Sequence, residues 1–178
     1  MSQALPDAED LLAPSFLVST FTERTLLDRV AVTPETALIG IHTGGVWLAQ
    51  RLHATLGLAK PLGTIDVSFH RDDYGSRGLH PKVKPSSIPF EVADADIVLV
   101  DDVLHTGRTI RAAMNELFDY GRPQSIRLAA LIDRGGRQLP IAAQFVGAEI
   151  IVAEAEQVEL TKDEKNNLSL ILSRQGAT

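Results

Sequence analysis

The chain has 178 residues, of which 44% are hydrophobic, and a formal net charge of −6 at pH 7. That length and composition suit one well-filled core, so we expect a single domain over residues 1–178. The negative charge argues against a strongly basic nucleic-acid-binding protein. Cysteine is absent from the sequence, which excludes disulfides and thiolate metal sites. Without a secretory signal or an apolar run of membrane-spanning length, we expect a soluble, cytoplasmic protein with no membrane partner.

The first half of the chain predicts a strand, a loop and a helix, followed by a second strand and a long loop. Ala37–Ile41 is a short apolar run, and the "HTGG" after it leads into apolar residues at helical spacing. Residues 62–70 alternate between apolar and polar, which is typical of a half-buried strand. Residues 72–89 carry repeated glycines and prolines, which regular elements do not tolerate. Loops of that length inside a compact domain are usually functional.

The second half continues the alternation of strands and helices. Residues 97–100 are uniformly apolar, as expected for a parallel strand covered on both faces. A helix that ends at Gly121 is then predicted by helical spacing. Its apolar face consists of Ile110, Met114, Leu117 and Phe118. Residues 126–132 predict another strand, and the tail holds strand-like pieces at 150–152, 158–160 and 168–172. This order predicts an α/β fold with a doubly wound, mainly parallel sheet flanked by helices.

Two adjacent acids, Asp101 and Asp102, follow the third predicted strand, and "HTGRT" then opens a helix. In such sheets, ligands bind beyond the carboxyl ends of the strands. A helix N-terminus favours anions, Gly107 allows close approach, and the threonines add hydroxyl donors, so the loop is typical of a phosphate site. Carboxylates would repel that phosphate, and they suit neighbouring hydroxyls or a divalent cation instead. A ribose 5-phosphate offers both groups.

The combined string of four apolar residues, two acids and Thr-Gly-x-Thr resembles the signature of type I phosphoribosyltransferases. A solvated strand edge and an ordinary turn are the alternative interpretations, while the Walker A and dinucleotide glycine motifs do not occur. The resemblance implies the type I phosphoribosyltransferase fold, with Asp101 and Asp102 on the ribose hydroxyls of phosphoribosyl pyrophosphate. It further implies that the 5-phosphate is bound by His105, Thr106, Gly107, Arg108 and Thr109.

Two further loops fit the same resemblance. The "HTGG" loop resembles the family's pyrophosphate loop, although it lacks the basic residue that some relatives carry there; its residues are His42, Thr43, Gly44 and Gly45. A plain strand-to-helix turn is the alternative for this loop taken alone. Residues 71–87 form a basic stretch that we expect to be a flexible lid over pyrophosphate, with an ordinary solvated loop as the alternative. Its basic side chains are Arg71, Arg77, Lys82 and Lys84.

The stretches "DVSFHRDDY", "LVDDVLHTGRTIRAAMNELFDYGRP" and "LIDRGGRQLPIAAQFVG" together resemble the PyrR family of pyrimidine-operon regulators. This resemblance implies a pentosyltransferase that converts uracil and phosphoribosyl pyrophosphate to UMP and pyrophosphate, with UMP or UTP as nucleotide partners. Mg²⁺ would be required, bound mainly through the substrate and with Asp101 and Asp102 as candidate ligands. The base would lie beside Ile132, Asp133 and Arg134. A homodimer or larger homo-oligomer is also implied.

The family resemblance also implies a regulatory role through messenger RNA, which the charge pattern does not favour. Residues 1–30 hold more acids than bases, and phosphate neutralisation supplies most RNA affinity. Arg134 and Arg137 are the candidate RNA contacts, although a solvated turn beside the base pocket is the favoured interpretation. We expect uracil phosphoribosyltransferase activity and at most weak, salt-sensitive binding to an mRNA leader. The alternatives are a nucleotide-sensing attenuator with little or no catalysis, and a phosphoribosyltransferase for another nucleobase.

Overall fold

The computed structural model describes residues 32–67 and 85–174. Its central sheet has five parallel strands in the order β2-β1-β3-β4-β5, and the last two strands form an antiparallel hairpin. The elements in chain order are β1 Ala37–Ile41, α1 Gly44–Leu56, β2 Gly63–Ile65, β3 Asp96–Leu104, α2 Arg108–Tyr120, β4 Ser125–Asp133, β5 Phe145–Glu149, β6 Glu156–Lys162 and β7 Leu168–Arg174. Neither described helix is long and apolar enough to cross a membrane.

Two apolar clusters lie on the two faces of the central sheet. Along β3, Val98 and Val100 belong to one cluster, whereas Ile97 and Leu99 belong to the other. This division follows from the alternation of side chains along a strand. Helix α1 contributes buried residues to the first cluster and helix α2 to the second. Helices therefore cover both faces, and the predicted doubly wound α/β fold is confirmed.

The β6–β7 hairpin packs on the same face as α1. Its buried residues, Val158, Leu160, Leu168 and Leu170, join the α1 cluster. At the surface, Arg51 of α1 donates a hydrogen bond to the Asn166 carbonyl oxygen, and the Lys162 ammonium lies 5.1 Å from the centre of the Trp47 ring. The hairpin and α1 therefore cover this face of the sheet together.

The structure differs from the sequence prediction at Phe118, at residues 150–152 and in the strand predicted over 62–70. Phe118, predicted on the buried face of α2, is 53% exposed, because the alanines Ala112 and Ala113 contact the sheet in its place. Residues 150–152 are not a strand, and β5 precedes them. The strand predicted over 62–70 is β2, Gly63–Ile65, with residues 66 and 67 outside it, and Thr64 at its middle forms an antiparallel bridge to Ser87. Residues 68–84 lie outside the described residues, and with them Arg71, Arg77, Lys82 and Lys84.

Strand β3 is longer than predicted, and it extends past its neighbour on one side. Its last register partner in β1 is Gly40, which pairs with Val100. Strand β4 continues beside β3 as far as the pair Leu104 and Asp133. Asp101 and Asp102 therefore lie within the final part of β3, and the loop after β1 occupies the flank that β1 no longer pairs.

Candidate functional site

Asp101 and Asp102 are buried, with 2% and 5% of their surface exposed. The Asp102 backbone amide donates a 3.0 Å hydrogen bond to Oδ1 of Asp101. Burying an ionised carboxylate is unfavourable unless hydrogen bonds or opposite charges stabilise it. The burial of both acids therefore does not fit the alternative interpretation from the sequence, in which they form a solvated strand edge.

The glycines of the "HTGG" loop lie directly against these acids. A Cβ atom on Gly44 would stand 2.3 Å from Oδ2 of Asp102, and one on Gly45 would stand 2.3 Å from the Val100 carbonyl oxygen. Side chains at either position would collide with β3, so glycine is required for this approach. The loop is further tied to the sheet by the His42 amide, which donates to the Ile65 carbonyl oxygen at 2.9 Å, and its His42–Thr43 peptide is cis.

Helix α1 begins at Gly44, so its first backbone amides lie beside Asp102. Thr43 is the N-cap residue, and its side chain makes no capping hydrogen bond within the described residues. The first amides of a helix lack partners inside the helix and favour an anion through the helix dipole. This end of α1 therefore offers amide donors next to a carboxylate, a combination suited to an anion that is accompanied by hydroxyls or a cation.

The loop between β3 and α2 has a left-handed glycine directly before the helix. Thr106 is buried, and its Oγ1 accepts a 3.2 Å hydrogen bond from the Arg108 amide. Gly107 has φ +91°, a left-handed conformation that side chains disfavour. Helix α2 starts at Arg108, so the predicted 5-phosphate residues, including His105 and Thr109, flank a helix N-terminus.

The segment after β4 folds back over this second loop. Ile132 is buried at the end of β4, and the Arg134 amide donates to the Leu104 carbonyl oxygen at 3.1 Å. The amides of Gln138 and Leu139 both donate to the Thr106 carbonyl oxygen, at 3.0 Å and 3.2 Å. The predicted base-side residues and the predicted phosphate loop are therefore in direct contact, which no local sequence pattern had indicated.

The two arginines proposed as RNA contacts are engaged within the chain. Arg137 forms an ion pair with Asp133 and donates to the His105 carbonyl oxygen at 2.6 Å. Arg134 reaches the Ala153 carbonyl oxygen at 3.5 Å. Burial lowers the pKa of the Arg134 guanidinium, while the negative charge of Glu156 acts in the opposite direction. These contacts support the interpretation of both residues as parts of the turn.

The donor set at this edge suits a hard cation that keeps other oxygen ligands. Among residues 32–67 and 85–174, no group of three or more His, Cys, Asp or Glu side chains could hold a metal ion. Mg²⁺ commonly binds through one or two carboxylates together with substrate phosphates. Asp101 and Asp102 fit that pattern, and the part of the chain that the structure describes offers no metal site built from protein ligands alone.

Comparisons with known proteins find a family match and sequence relatives over most of the chain. The family model described as the phosphoribosyl transferase domain matches residues 20–163. The chain is 58% identical over 127 residues to a bifunctional protein PyrR from Nitrosococcus oceani, covering 70% of this chain and 72% of the relative. It is 56% identical over 138 residues to a protein of the same name from Pseudomonas entomophila, covering 78% and 80%.

Solved structures show the same fold. A hypoxanthine phosphoribosyltransferase from Staphylococcus aureus superposes with a TM-score of 0.57 at 19% identity, covering 88% of this chain and 86% of that one. A hypoxanthine-guanine phosphoribosyltransferase from Bacillus anthracis gives a TM-score of 0.55 at 17% identity, covering 84% and 85%. At these identities the likeness concerns the fold alone, and it confirms the predicted type I phosphoribosyltransferase architecture.

Proposed function

Because the chain belongs to the PyrR family of phosphoribosyltransferases, we propose that it transfers the phosphoribosyl group of phosphoribosyl pyrophosphate to uracil. The products are UMP and pyrophosphate. The observation that carries this proposal is the arrangement of three segments at one end of the sheet: the glycine loop lies against the buried Asp102, and the turn at Gly107, which follows the acids in the chain, contacts the segment after β4. Such an edge can accept a leaving group, a sugar phosphate and a base at once.

In the proposed reaction, a ring nitrogen of uracil forms a bond to the anomeric carbon of the ribose. The bond from that carbon to the pyrophosphate oxygen breaks, pyrophosphate leaves with the bonding electrons, and the nitrogen loses its proton. The transition state carries positive charge on the ribose ring. Catalysis then depends on positioning and charge stabilisation, and no nucleophilic side chain takes part.

We assign the ribose hydroxyls to Asp101 and Asp102, whose negative charge also favours the cationic ring. The 5-phosphate is assigned to the turn that runs from His105 to Thr109, because the left-handed Gly107 directly precedes the first residue of α2. Pyrophosphate is assigned to the first amides of α1 and to the loop from His42 to Gly45. Asp101 and Asp102 would be the protein groups that hold Mg²⁺ together with the substrate, and the ion would supply charge neutralisation for the leaving group.

The base is assigned to the end of β4, beside Ile132, Asp133 and Arg134. The lid formed by residues 71–87 remains a prediction from sequence, since residues 68–84 lie outside the described part of the chain. Assembly into a homodimer or larger homo-oligomer also remains a prediction from the family resemblance.

The decisive experiment measures pyrophosphate release from phosphoribosyl pyrophosphate and Mg²⁺ with uracil, and with hypoxanthine as the comparison base. We expect release that depends on uracil and is at background level with hypoxanthine. Release with hypoxanthine alone would favour a phosphoribosyltransferase for another nucleobase. Absence of release with either base, together with saturable UMP binding, would favour the nucleotide-sensing attenuator.

We propose that the second role of this bifunctional family, regulation of pyrimidine genes, rests on at most weak RNA binding in this chain. The net charge is −6, and Arg134 and Arg137 are held by protein contacts. Binding to the mRNA leader of its own pyrimidine genes should disappear by ~0.15 M salt, as expected for contacts dominated by counterion release. A salt titration with a scrambled transcript as control tests this, and sequence-selective binding at that salt would contradict it.

A further inference from the structure

The Arg137 side chain connects the two segments assigned to the base and to the 5-phosphate. One guanidinium nitrogen donates to the His105 carbonyl oxygen at 2.6 Å, and the other pairs with the Asp133 carboxylate. The side chain of Arg137 is 26% exposed and that of Asp133 is 14% exposed, so the pair is largely shielded from water. Hydrogen bonds between charged groups in such surroundings are stronger than those at an open surface.

Backbone contacts continue the same connection along the chain. The Thr106 carbonyl oxygen accepts from both the Gln138 and Leu139 amides. A Cβ atom on Gly107 would stand 3.2 Å from Ile141, and one on Gly136 would stand 2.7 Å from Nε2 of His105. Residues 136–141 therefore lie along residues 105–107, with tight packing at both glycines.

We infer that Arg137 is a positioning residue that holds the base segment, residues 132–141, at a fixed distance from the 5-phosphate turn, residues 105–109. The inference rests on the proposed function, because the distance between these two segments affects catalysis only if they bind the base and the 5-phosphate. The uracil nitrogen must approach the anomeric carbon in a near-attack geometry, and small misplacements lower the rate steeply. The base and the 5-phosphate are anchored on different segments, so the contact between those segments sets the approach.

Arginine is suited to this task because its planar fork presents several donors in fixed directions. Two nitrogens of Arg137 reach acceptors on different segments, the His105 carbonyl oxygen and the Asp133 carboxylate. A lysine would keep the positive charge but has one compact ammonium on a flexible stem, so it would not span both acceptors with the same geometry. An RNA-phosphate contact, by contrast, depends mainly on charge and would tolerate lysine.

The experiment compares Arg137→Lys and Arg137→Ala with the control Arg111→Ala, which removes an exposed arginine of α2 outside both segments. In the full-length protein, we expect kcat for uracil to fall about 10- to 100-fold in both Arg137 variants, at saturating substrates. Amide hydrogen exchange at Gln138 and Leu139 should become roughly tenfold faster or more, because their bonds to Thr106 open more often. The control should stay within about twofold of the wild type in both measurements.

Two outcomes would overturn the inference: Arg137→Lys with wild-type kcat and exchange, or Arg137 variants that lose kcat while exchange at Gln138 and Leu139 stays unchanged. The second outcome would indicate direct contact with a substrate. If the wild type itself does not turn over uracil, the proposed function fails, and the exchange rates still decide whether Arg137 holds the two segments together. Arg137→Lys keeps the experiment interpretable if Arg137→Ala fails to fold.

Discussion

At the amino end of β3, the Asp96 carboxylate is surrounded by side-chain donors, whereas at the carboxyl end Asp101 and Asp102 lie beside backbone and glycine. Asp96 accepts hydrogen bonds from Thr36 at 3.1 Å, from Arg127 at 2.5 Å and from Ser125. Each donor comes from a segment next to β3 in the fold, and the Arg127 guanidinium also lies 5.7 Å from the centre of the Phe145 ring. This carboxylate fastens neighbouring segments to one another.

At the other end of the strand, two glycines pack against Asp102 and the β3 backbone. Gly44 and Gly45 bring a helix N-terminus against β3 without placing any side chain between them. From this contrast we expect one residue type on one strand to serve two purposes: Asp96, which accepts from three side chains, stabilises the fold, and the acids beside the glycine loop bind a ligand. Substitutions at the two ends should therefore have different consequences: a loss of stability at Asp96, and a loss of activity at Asp101 and Asp102. Both can be measured.

The largest effect is expected from Asp101→Asn combined with Asp102→Asn. Asparagine has nearly the same shape as aspartate, so folding should persist, while the loss of charge removes stabilisation of the cationic ribose ring. We expect kcat/KM for uracil to fall at least ~100-fold, the scale of losing one positioned electrostatic group. Steady-state kinetics and thermal melting of the same samples measure both quantities.

The matched control for that double variant is Asp96→Asn, the same substitution at the other end of β3. It should lower the melting temperature and leave kcat/KM within about twofold, because Arg127 loses its charged partner outside the site. If the double variant kept wild-type turnover, or if Asp96→Asn reduced turnover as strongly, the distinction between the two ends would be wrong.

An intermediate effect is expected from Gly44→Ala, which fills the space between α1 and Asp102. Helix propensity alone predicts that alanine stabilises the helix by up to ~1 kcal/mol. The added Cβ would stand 2.3 Å from Oδ2 of Asp102, so we expect lower stability and roughly tenfold lower kcat/KM, as the displaced acid loses its position.

Urea unfolding and kinetics on Gly44→Ala, with Gln50→Ala on the exposed side of α1 as control, separate the two contributions. The control should be neutral or slightly stabilising. A Gly44→Ala protein that is more stable than the wild type and fully active would show that the close approach to Asp102 is not needed.

The smallest effect on activity is expected from Arg127→Ala at the amino end. Its ion pair with Asp96 is partly exposed, with 25% and 32% of the two side chains accessible. We therefore expect the free energy of unfolding to fall by only about 1–2 kcal/mol, with kcat/KM within about twofold of the wild type. Urea unfolding measures the first quantity, and a loss of turnover larger than the loss of folded protein would contradict the comparison.

Elements defined by strong local patterns were predicted well from the sequence. The run Ala37–Ile41 is β1 as predicted, and the helical spacing after it is α1. Residues 126–132 fall within β4, and Gly121 ends α2 as predicted. In each case the apolar spacing that defines the element also fits the sheet, so local pattern and tertiary packing agree.

Other features depend on contacts between distant segments. Periodicity placed Phe118 on the buried face of α2, but small alanines pack against the sheet and leave Phe118 at the surface. The link between Arg137 and His105 joins positions 32 residues apart, and no spacing rule indicates it. The expectation of one domain over the whole chain stays a prediction, since residues 1–31, 68–84 and 175–178 lie outside the described part.

The β6–β7 hairpin has a consequence for how the chain folds during synthesis. Arg51 and the Asn166 carbonyl oxygen that it contacts are 115 residues apart, and the hairpin supplies Leu160 and Leu168 to the cluster beneath α1. Contacts of such long sequence separation form slowly because a long loop must close first. During synthesis on a ribosome, the apolar face of α1 is therefore not fully covered until residues 158–170 have been made and have packed against it. Until then that face is open to chaperones or to other chains.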